Sequence, residues 1–157
     1  MDLDQSLAVI QALEREQVRY VVVGAVALNL HGLARMTRDL DVFLDPSADN
    51  VERLKRALRS LFDDPAIDEI SAADLQGEYP AIAYVPPSGD FSIDLLARLG
   101  EVFRYEDIES QVLEHGALRV RVATPSMLYR MKKDTVRLQD KADAERLRER
   151  FGLGESQ

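Results

Sequence analysis

The sequence contains no cysteine and no tryptophan, and only two histidines, His31 and His115, among 157 residues. Without cysteine there is no disulfide, no thiolate nucleophile and no cysteine-ligated zinc. Two histidines are too few for a histidine-rich metal centre. A metal bound here must be held mainly by oxygen, which is the chemistry of Mg2+ or Mn2+. No apolar run approaches the ~18–20 residues of a membrane span. The amino terminus, MDLDQSLAVI, carries acids where an export signal needs a basic start. These absences predict a cytoplasmic protein with no membrane partner. There is also no low-complexity stretch, and 46% apolar with 31% charged residues is ordinary for a globular chain. The length suits one domain, 1–157, with an α/β core over 1–123 and helices over 124–151 packed on it.

Positive charge is outnumbered as well, 20 Lys and Arg against 28 Asp and Glu. The net charge of -8 argues against a protein that coats nucleic acid, because neutralising phosphate needs a surplus of lysine and arginine. The acid is concentrated in residues 61–116, which hold 13 acidic and 2 basic groups, while residues 125–151 hold 8 basic and 5 acidic ones. The last stretch reads either as a solvated mixed-charge helix or as a basic face turned toward a phosphate-bearing ligand.

Leu3, Leu7, Ile10 and Leu13 recur at helical spacing and predict a helix near 3–17. Arg19 to Val23 reads as a buried strand stopped by Gly24, and Ala25 to Leu30 as a short helix closed by His31 and Gly32. Asp39 to Leu44 is a strand that sends Leu40, Val42 and Leu44 one way and Asp39, Asp41 and Phe43 the other. After Asp45-Pro46-Ser47 comes an amphipathic helix with Val51, Leu54, Leu58 and Leu61 on one face. Residues 63–79 read as loops with a short strand near Ile67–Ile70. Pro80 to Val85 and Phe91 to Ala97 form a hairpin around the Pro86-Pro87-Ser88-Gly89-Asp90 turn. Residues 101–116 are ambiguous, Ala117 to Ala123 alternates like an edge strand, and Thr124-Pro125 starts a helix to about 137, with another over about 139–151. The order describes a mixed α/β (α+β) domain, its central sheet flanked by helices, with a C-terminal helical tail.

Three features carry chemistry. Gly24 ends a strand and opens a helix, where backbone amides can meet a phosphate. Asp39 and Asp41 project from one strand face, roughly 6.6–6.8 Å apart at the backbone. Carboxylates at that spacing can hold cations about 3.5–4 Å apart, as in two-metal phosphoryl and nucleotidyl transfer. Without a cation, two like charges beside the core would raise one pKa and cost stability. Asp94, in Phe91-Ser92-Ile93-Asp94-Leu95-Leu96, joins the pair if the strands are adjacent. From spacing alone, the alternative that all three acids face solvent weighs as much.

Val23-Gly24-Ala25, then Asp39-Leu40-Asp41-Val42, then Ile93-Asp94-Leu95 resembles the signature of the polymerase-β-like nucleotidyltransferase superfamily. The longer string GAVALNLHGLARMTRDLDVFLD is similar to the small bacterial nucleotidyltransferases grouped with AbiEii-type toxins of toxin–antitoxin and phage-defence systems. The tail, with Met131-Lys132, Arg137 and Gln139-Asp140-Lys141-Ala142-Asp143, is like theirs too. The likeness spans about residues 18–150 and implies the nucleotidyltransferase fold. By that resemblance Asp39, Asp41 and Asp94 bind the metal, Mg2+ or Mn2+, and carry catalysis, with Asp94 acting on the attacking hydroxyl as metal ligand or base. Gly24 and Ala25 present amides to the nucleotide's phosphates. Arg35, Thr37 and Arg38 touch phosphate or sugar, and Lys132, with Lys133 and Arg137, supplies positive charge.

The implied reaction is attack of an acceptor hydroxyl on the α-phosphate of a nucleoside triphosphate. The acceptor is an RNA end such as tRNA, a protein hydroxyl or a small molecule, and a cognate antitoxin is the implied partner. The family pattern has Gly or Ser at its second glycine-motif position where this chain has Ala25, which keeps the amide but not the hydroxyl. The alternative is a catalytically silent nucleotide- or protein-binding module of the same fold. His31 reads as a helix-capping residue and His115 as without function. Tyr20, Phe43, Phe62, Phe91 and Phe103 read as core, while Tyr79, Tyr84, Tyr105 and Tyr129 are candidates for stacking on a base.

Overall fold

The structure is a computed structural model in which residues 3–78, 80–99 and 103–153 are described; Tyr79 lies outside them. Helix α1 (Leu3–Arg15) leads to strand β1 (Tyr20–Val23), helix α2 (Gly24–Leu30), strand β2 (Asp39–Leu44) and helix α3 (Ala48–Leu61). After a 3-10 turn (Pro65–Glu69) and helix α4 (Ala72–Gln76) come β3 (Ala81–Tyr84), β4 (Ser92–Leu96), and the short β5 (Arg98–Leu99) and β6 (Phe103–Arg104). Strands β7 (Ser110–His115) and β8 (Leu118–Ala123) and helices α5 (Pro125–Lys132) and α6 (Leu138–Phe151) complete it. Six strands form one mixed sheet in the order β3-β4-β2-β1-β8-β7. β2 runs parallel to β4 and β1 parallel to β8, and the remaining neighbours are antiparallel.

The two faces of the sheet follow from alternation. Tyr20, Val22, Leu40, Val42, Leu44, Ile93 and Leu95 share one face and are buried. Helix α1 lies on that face, where the buried Tyr20 hydroxyl donates to Glu14 at 2.7 Å and accepts the Arg121 amide at 3.2 Å. Helix α3 packs beside α1, and Phe62 at its end stacks on Tyr84 and Phe91, with ring centroids 5.9 and 6.3 Å apart. Helix α3 begins where Ser47 accepts the Asn50 amide, and its buried Val51, Leu54 and Leu58 recur at helical spacing. The opposite face carries Val23, Asp41 and Leu96, with α5 against it and α6 packed on α5.

Four expectations from the sequence are corrected. The strand near Ile67–Ile70 is a 3-10 turn followed by α4: Asp64 accepts the Ala66 amide at 3.0 Å with Pro65 in the first turn, and Ser71 caps the next helix. Burial of Ile67 and Ile70 explains their strand-like apolarity. The strand over 117–123 is not an edge; β7, from the ambiguous segment, covers it, leaving Arg119 and Arg121 exposed on one side. The helix from Pro125 stops at Lys132 rather than 137, and the side chains of Lys132 and Thr135 on either side of its end both reach forward to Asp140 in the next helix. Leu61 is partly exposed at the end of α3, outside the core face formed by Val51, Leu54 and Leu58. Of the aromatics assigned to the core, Tyr20, Phe43 and Phe91 are buried and Phe62 and Phe103 pack at its margin.

Asn50 is fully buried and ties the start of β1 to the end of β2. Its amide donates to the Arg19 carbonyl at 3.0 Å and the Asp45 carbonyl at 2.8 Å, and its oxygen accepts the Arg19 amide at 2.7 Å. Asn50→Ala removes all three of these bonds, leaving the Arg19 carbonyl only the Asp45 amide, and is expected to lose about 1–3 kcal/mol in urea denaturation. A loss below about 0.5 kcal/mol would contradict this tie.

Candidate active site

The three acids singled out in the sequence stand together. Asp41 lies opposite Asp94 on the parallel β2–β4 pair, and Asp39 lies opposite Ser92, so all three carboxylates share one face of adjacent strands. Neighbouring strands run ~4.8 Å apart, so the acids occupy a small patch. Each is half-buried, and the Ser92 hydroxyl donates to Asp94 Oδ1 at 2.7 Å. Burial, then a hydrogen bond with Asp94 and the charges of Asp94 and Asp39, push the Asp41 carboxyl up to about 7, with Lys132 acting against them. Among the described residues no group of three or more His, Asp or Glu side chains is placed to hold a metal ion.

Gly24 stands against this patch for a reason the sequence does not announce. Its φ is +70°, and a Cβ built there would fall 2.1 Å from Asp41 Oδ2. The Asp41 carboxylate occupies the space that any larger residue would need. Gly24, Asp41, Leu96, Met131 and Lys132 line a cleft of about 370 Å³ between the sheet and the C-terminal helices. Asp39 and Arg38 open instead on a neighbouring recess of about 300 Å³ beside the β3–β4 turn. Ala25 is buried and is not part of the cleft lining.

The other predicted site residues divide. Lys132 lines the cleft at 13% side-chain exposure, whereas Lys133 turns out over the Tyr129 ring, 5.9 Å from its centroid. Arg137 is on the cleft rim and largely exposed, with its Nε 3.9 Å from Asp140. Arg35 points into the protein toward Asp143, and its backbone is held by reciprocal bonds with the Asn29 side chain at 2.8 and 2.9 Å. Thr37 folds onto the start of β2, where its hydroxyl accepts the Asp39 amide and donates to the Asp39 carbonyl. Arg38 is exposed. His31 terminates α2, with Nε2 2.8 Å from the Ala123 carbonyl and its ring edge-on to Phe151. Tyr84 is buried and bonds Asp64, which removes it as a stacking platform.

The residues given no role from the sequence are Asp140 and Asp143. Lys132 Nζ is 3.2 Å from each of them, and Asp143 is buried at 1% exposure. Burial opposes charge on Asp140, but hydrogen bonds from Thr135 and Lys132 and the charges of Lys132 and Arg137 outweigh it and hold the carboxyl below its usual range. The available signal was position: Asp143 falls one residue before Ala144 and four before Leu147, on the buried stripe of α6.

Two measurements check this geometry. Gly24→Ala meets both the positive φ and the Asp41 carboxylate, and is expected to cost about 1–3 kcal/mol in thermal unfolding. An unchanged stability would unseat the carboxylate from position 24. Because the folded Asp41 pKa lies above its unfolded value of 3.8, its proton stabilises the fold below pH 4 and that contribution is lost as pH rises through about 7. Without divalent cations, wild type should therefore lose stability relative to Asp41→Asn between pH 5 and 8, by at least about 1 kcal/mol. A pH-independent difference would contradict the crowding.

The family model described as the nucleotidyl transferase AbiEii toxin, Type IV toxin–antitoxin system, matches residues 9–150. Among solved structures, an antigenic nucleotidyltransferase-like protein from Paracoccidioides brasiliensis is 17% identical, with 91% of this chain and 75% of that one covered and a TM-score of 0.49. No curated protein matches the chain. The matched span takes in Gly24, the three acids, Lys132 and Asp143, and on it the chain belongs to the AbiEii nucleotidyl transferase toxin family.

Proposed function

We propose that this protein is a divalent-cation-dependent nucleotidyltransferase. It moves a nucleoside monophosphate from a nucleoside triphosphate to an acceptor hydroxyl on RNA such as tRNA, on a protein or on a small molecule, and serves as the toxin half of a toxin–antitoxin pair. The observation that carries the reading is the joint placement of Asp39, Asp41 and Asp94 on one sheet face, with the Lys132 ammonium acting on Asp41 from α5.

The donor set fits Mg2+ or Mn2+. All three side chains offer carboxylate oxygen, and burial together with the neighbouring charges of Asp94 and Asp39 raises the Asp41 pKa, a like-charge cost that a cation relieves. Asp41 and Asp94 would hold the ion, with Asp39 turning in from the adjoining recess. The bound ion supplies positive charge to the α-phosphate and to the attacking and leaving oxygens. The chain's own groups do the rest. Gly24 and Ala25 offer amides at the start of α2, which no side chain caps. Lys132 and Arg137 balance the triphosphate's charge from the tail. A carboxylate of the patch, Asp94 by position, takes the acceptor's proton as its oxygen bonds to the α-phosphorus. The bond from that phosphorus to the bridging oxygen breaks, and pyrophosphate leaves.

The test is a transfer assay with each α-labelled ribonucleoside triphosphate, Mg2+ or Mn2+, total RNA and cell lysate, beside an Asp39→Asn, Asp41→Asn double variant. Wild type should move label into one acceptor class, and the double variant should lose at least about 100-fold. Mg2+ or Mn2+ should also raise the thermal midpoint of wild type at pH 8 and leave that of the double variant unmoved. Triphosphate binding without transfer would favour the silent module. Neither binding nor transfer would remove the function.

A further inference from the structure

Asp143 is the buried charge that nucleotidyl transfer at the acid patch does not use. Its side chain is 0% exposed, and it collects donors from three places in the chain. Lys132 Nζ from α5 is 3.2 Å away, Gln139 Nε2 from the first turn of α6 is 3.0 Å away, and Arg35 Nε from the α2–β2 loop is 3.4 Å from each carboxylate oxygen. An ionised carboxylate this deep is tolerable only with such partners.

We propose that Asp143 is a positioning residue for nucleotide binding: it seats Lys132 and Arg35 so that the Lys132 ammonium faces the triphosphate in the cleft. The inference rests on the nucleotidyl-transfer reading above. An ammonium has three N–H donors. Asp143 takes one and Asp140 a second, both at 3.2 Å, and Asp140 is itself held by Thr135 at 3.0 Å. The third is free of these two carboxylates, and the same lysine lines the cleft with Asp41. A lysine on four rotatable bonds is a poorly aimed charge, and two fixed carboxylates aim it. Arg35 is held by the same carboxylate, and its backbone amide and carbonyl pin Asn29 in α2, so Asp143 also braces the loop that delivers Asp39. Asp143 thereby couples three segments, around residues 35, 132 and 143, that only the folded chain brings together.

The experiment is calorimetric titration of the full chain with the α,β-methylene analogue of each ribonucleoside triphosphate and Mg2+, using wild type, Lys132→Ala, Asp143→Asn and the double variant. Asp143→Asn should weaken affinity at least about tenfold, matching Lys132→Ala, and the double variant should bind no more weakly than Lys132→Ala alone. Losses that add, or an affinity unchanged while only the thermal midpoint falls, would make Asp143 a structural residue and overturn the proposal. Removing one member of a buried ion cluster can unfold a chain, so Asp143→Glu is titrated alongside. It keeps the charge and moves it by one methylene, and should weaken binding while the protein stays folded; wild-type affinity in that variant would overturn the proposal. If wild type itself binds no triphosphate analogue, the nucleotidyl-transfer reading fails and this inference with it. Binding by wild type that Asp143 variants do not alter sinks this inference alone.

Discussion

The in-register parallel pairing of β2 with β4 is the constraint to which the other elements answer. It sets Asp41 opposite Asp94 with Asp39 one alternation along, so charges of one sign meet on a half-buried face. Such crowding opposes folding unless protons, counter-charges or cations offset it. The structure shows two responses: an Asp41 carboxyl held well above its usual range, and a lysine, Lys132, lining the same cleft. The close approach of Asp41 to the β1–α2 junction then dictates glycine at 24, because no Cβ fits beside the carboxylate. A residue read from sequence as a phosphate-binding glycine is thus also the space into which the Asp41 carboxylate folds.

The C-terminal helices belong to the same electrostatic system. Residues 125–151 are basic in sum, but the site does not meet a bare positive face. Lys132 is shared between Asp140 and Asp143, and Arg35 from the α2–β2 loop reaches the same buried Asp143. The linkage between sheet and tail is therefore ionic at the site and apolar around it, where Leu128 and Met127 are buried and Met131 packs at the margin. Charge-assisted bonds of this kind fix direction as well as distance, which apolar packing alone does less well.

Much of the architecture was legible one residue at a time. Alternation in Asp39 to Leu44 separated acids from core, since a strand buried on one face allows no other register. The breakers at Gly24, Pro46 and Pro86 placed the ends of elements, and the Thr124-Pro125 start of α5 read correctly because a cap and its proline are local devices. The failures were non-local. Ile67 and Ile70 looked like strand because they are buried by contacts the segment itself does not encode, while the capping of Asp64 and Ser71 decided for helix. Ala117 to Ala123 looked like an edge because its partner, β7, lay in a segment without pattern.

The sequence by itself determined which chemistry is available. A mainly oxygen ligand set, three acids among apolar strand residues, a glycine at a strand end and a basic tail are properties of composition and short-range spacing. Only the tertiary structure decided how they are used. That β4 lies beside β2, that Asp41 presses on Gly24 and that Asp143 holds Lys132 and Arg35 depend on strand order and helix docking, which join residues up to 108 positions apart. Alternation and capping act over a few residues and are written in order along the chain. The partners of a buried charge are chosen by the fold as a whole, because only the folded chain removes the water that would otherwise solvate it.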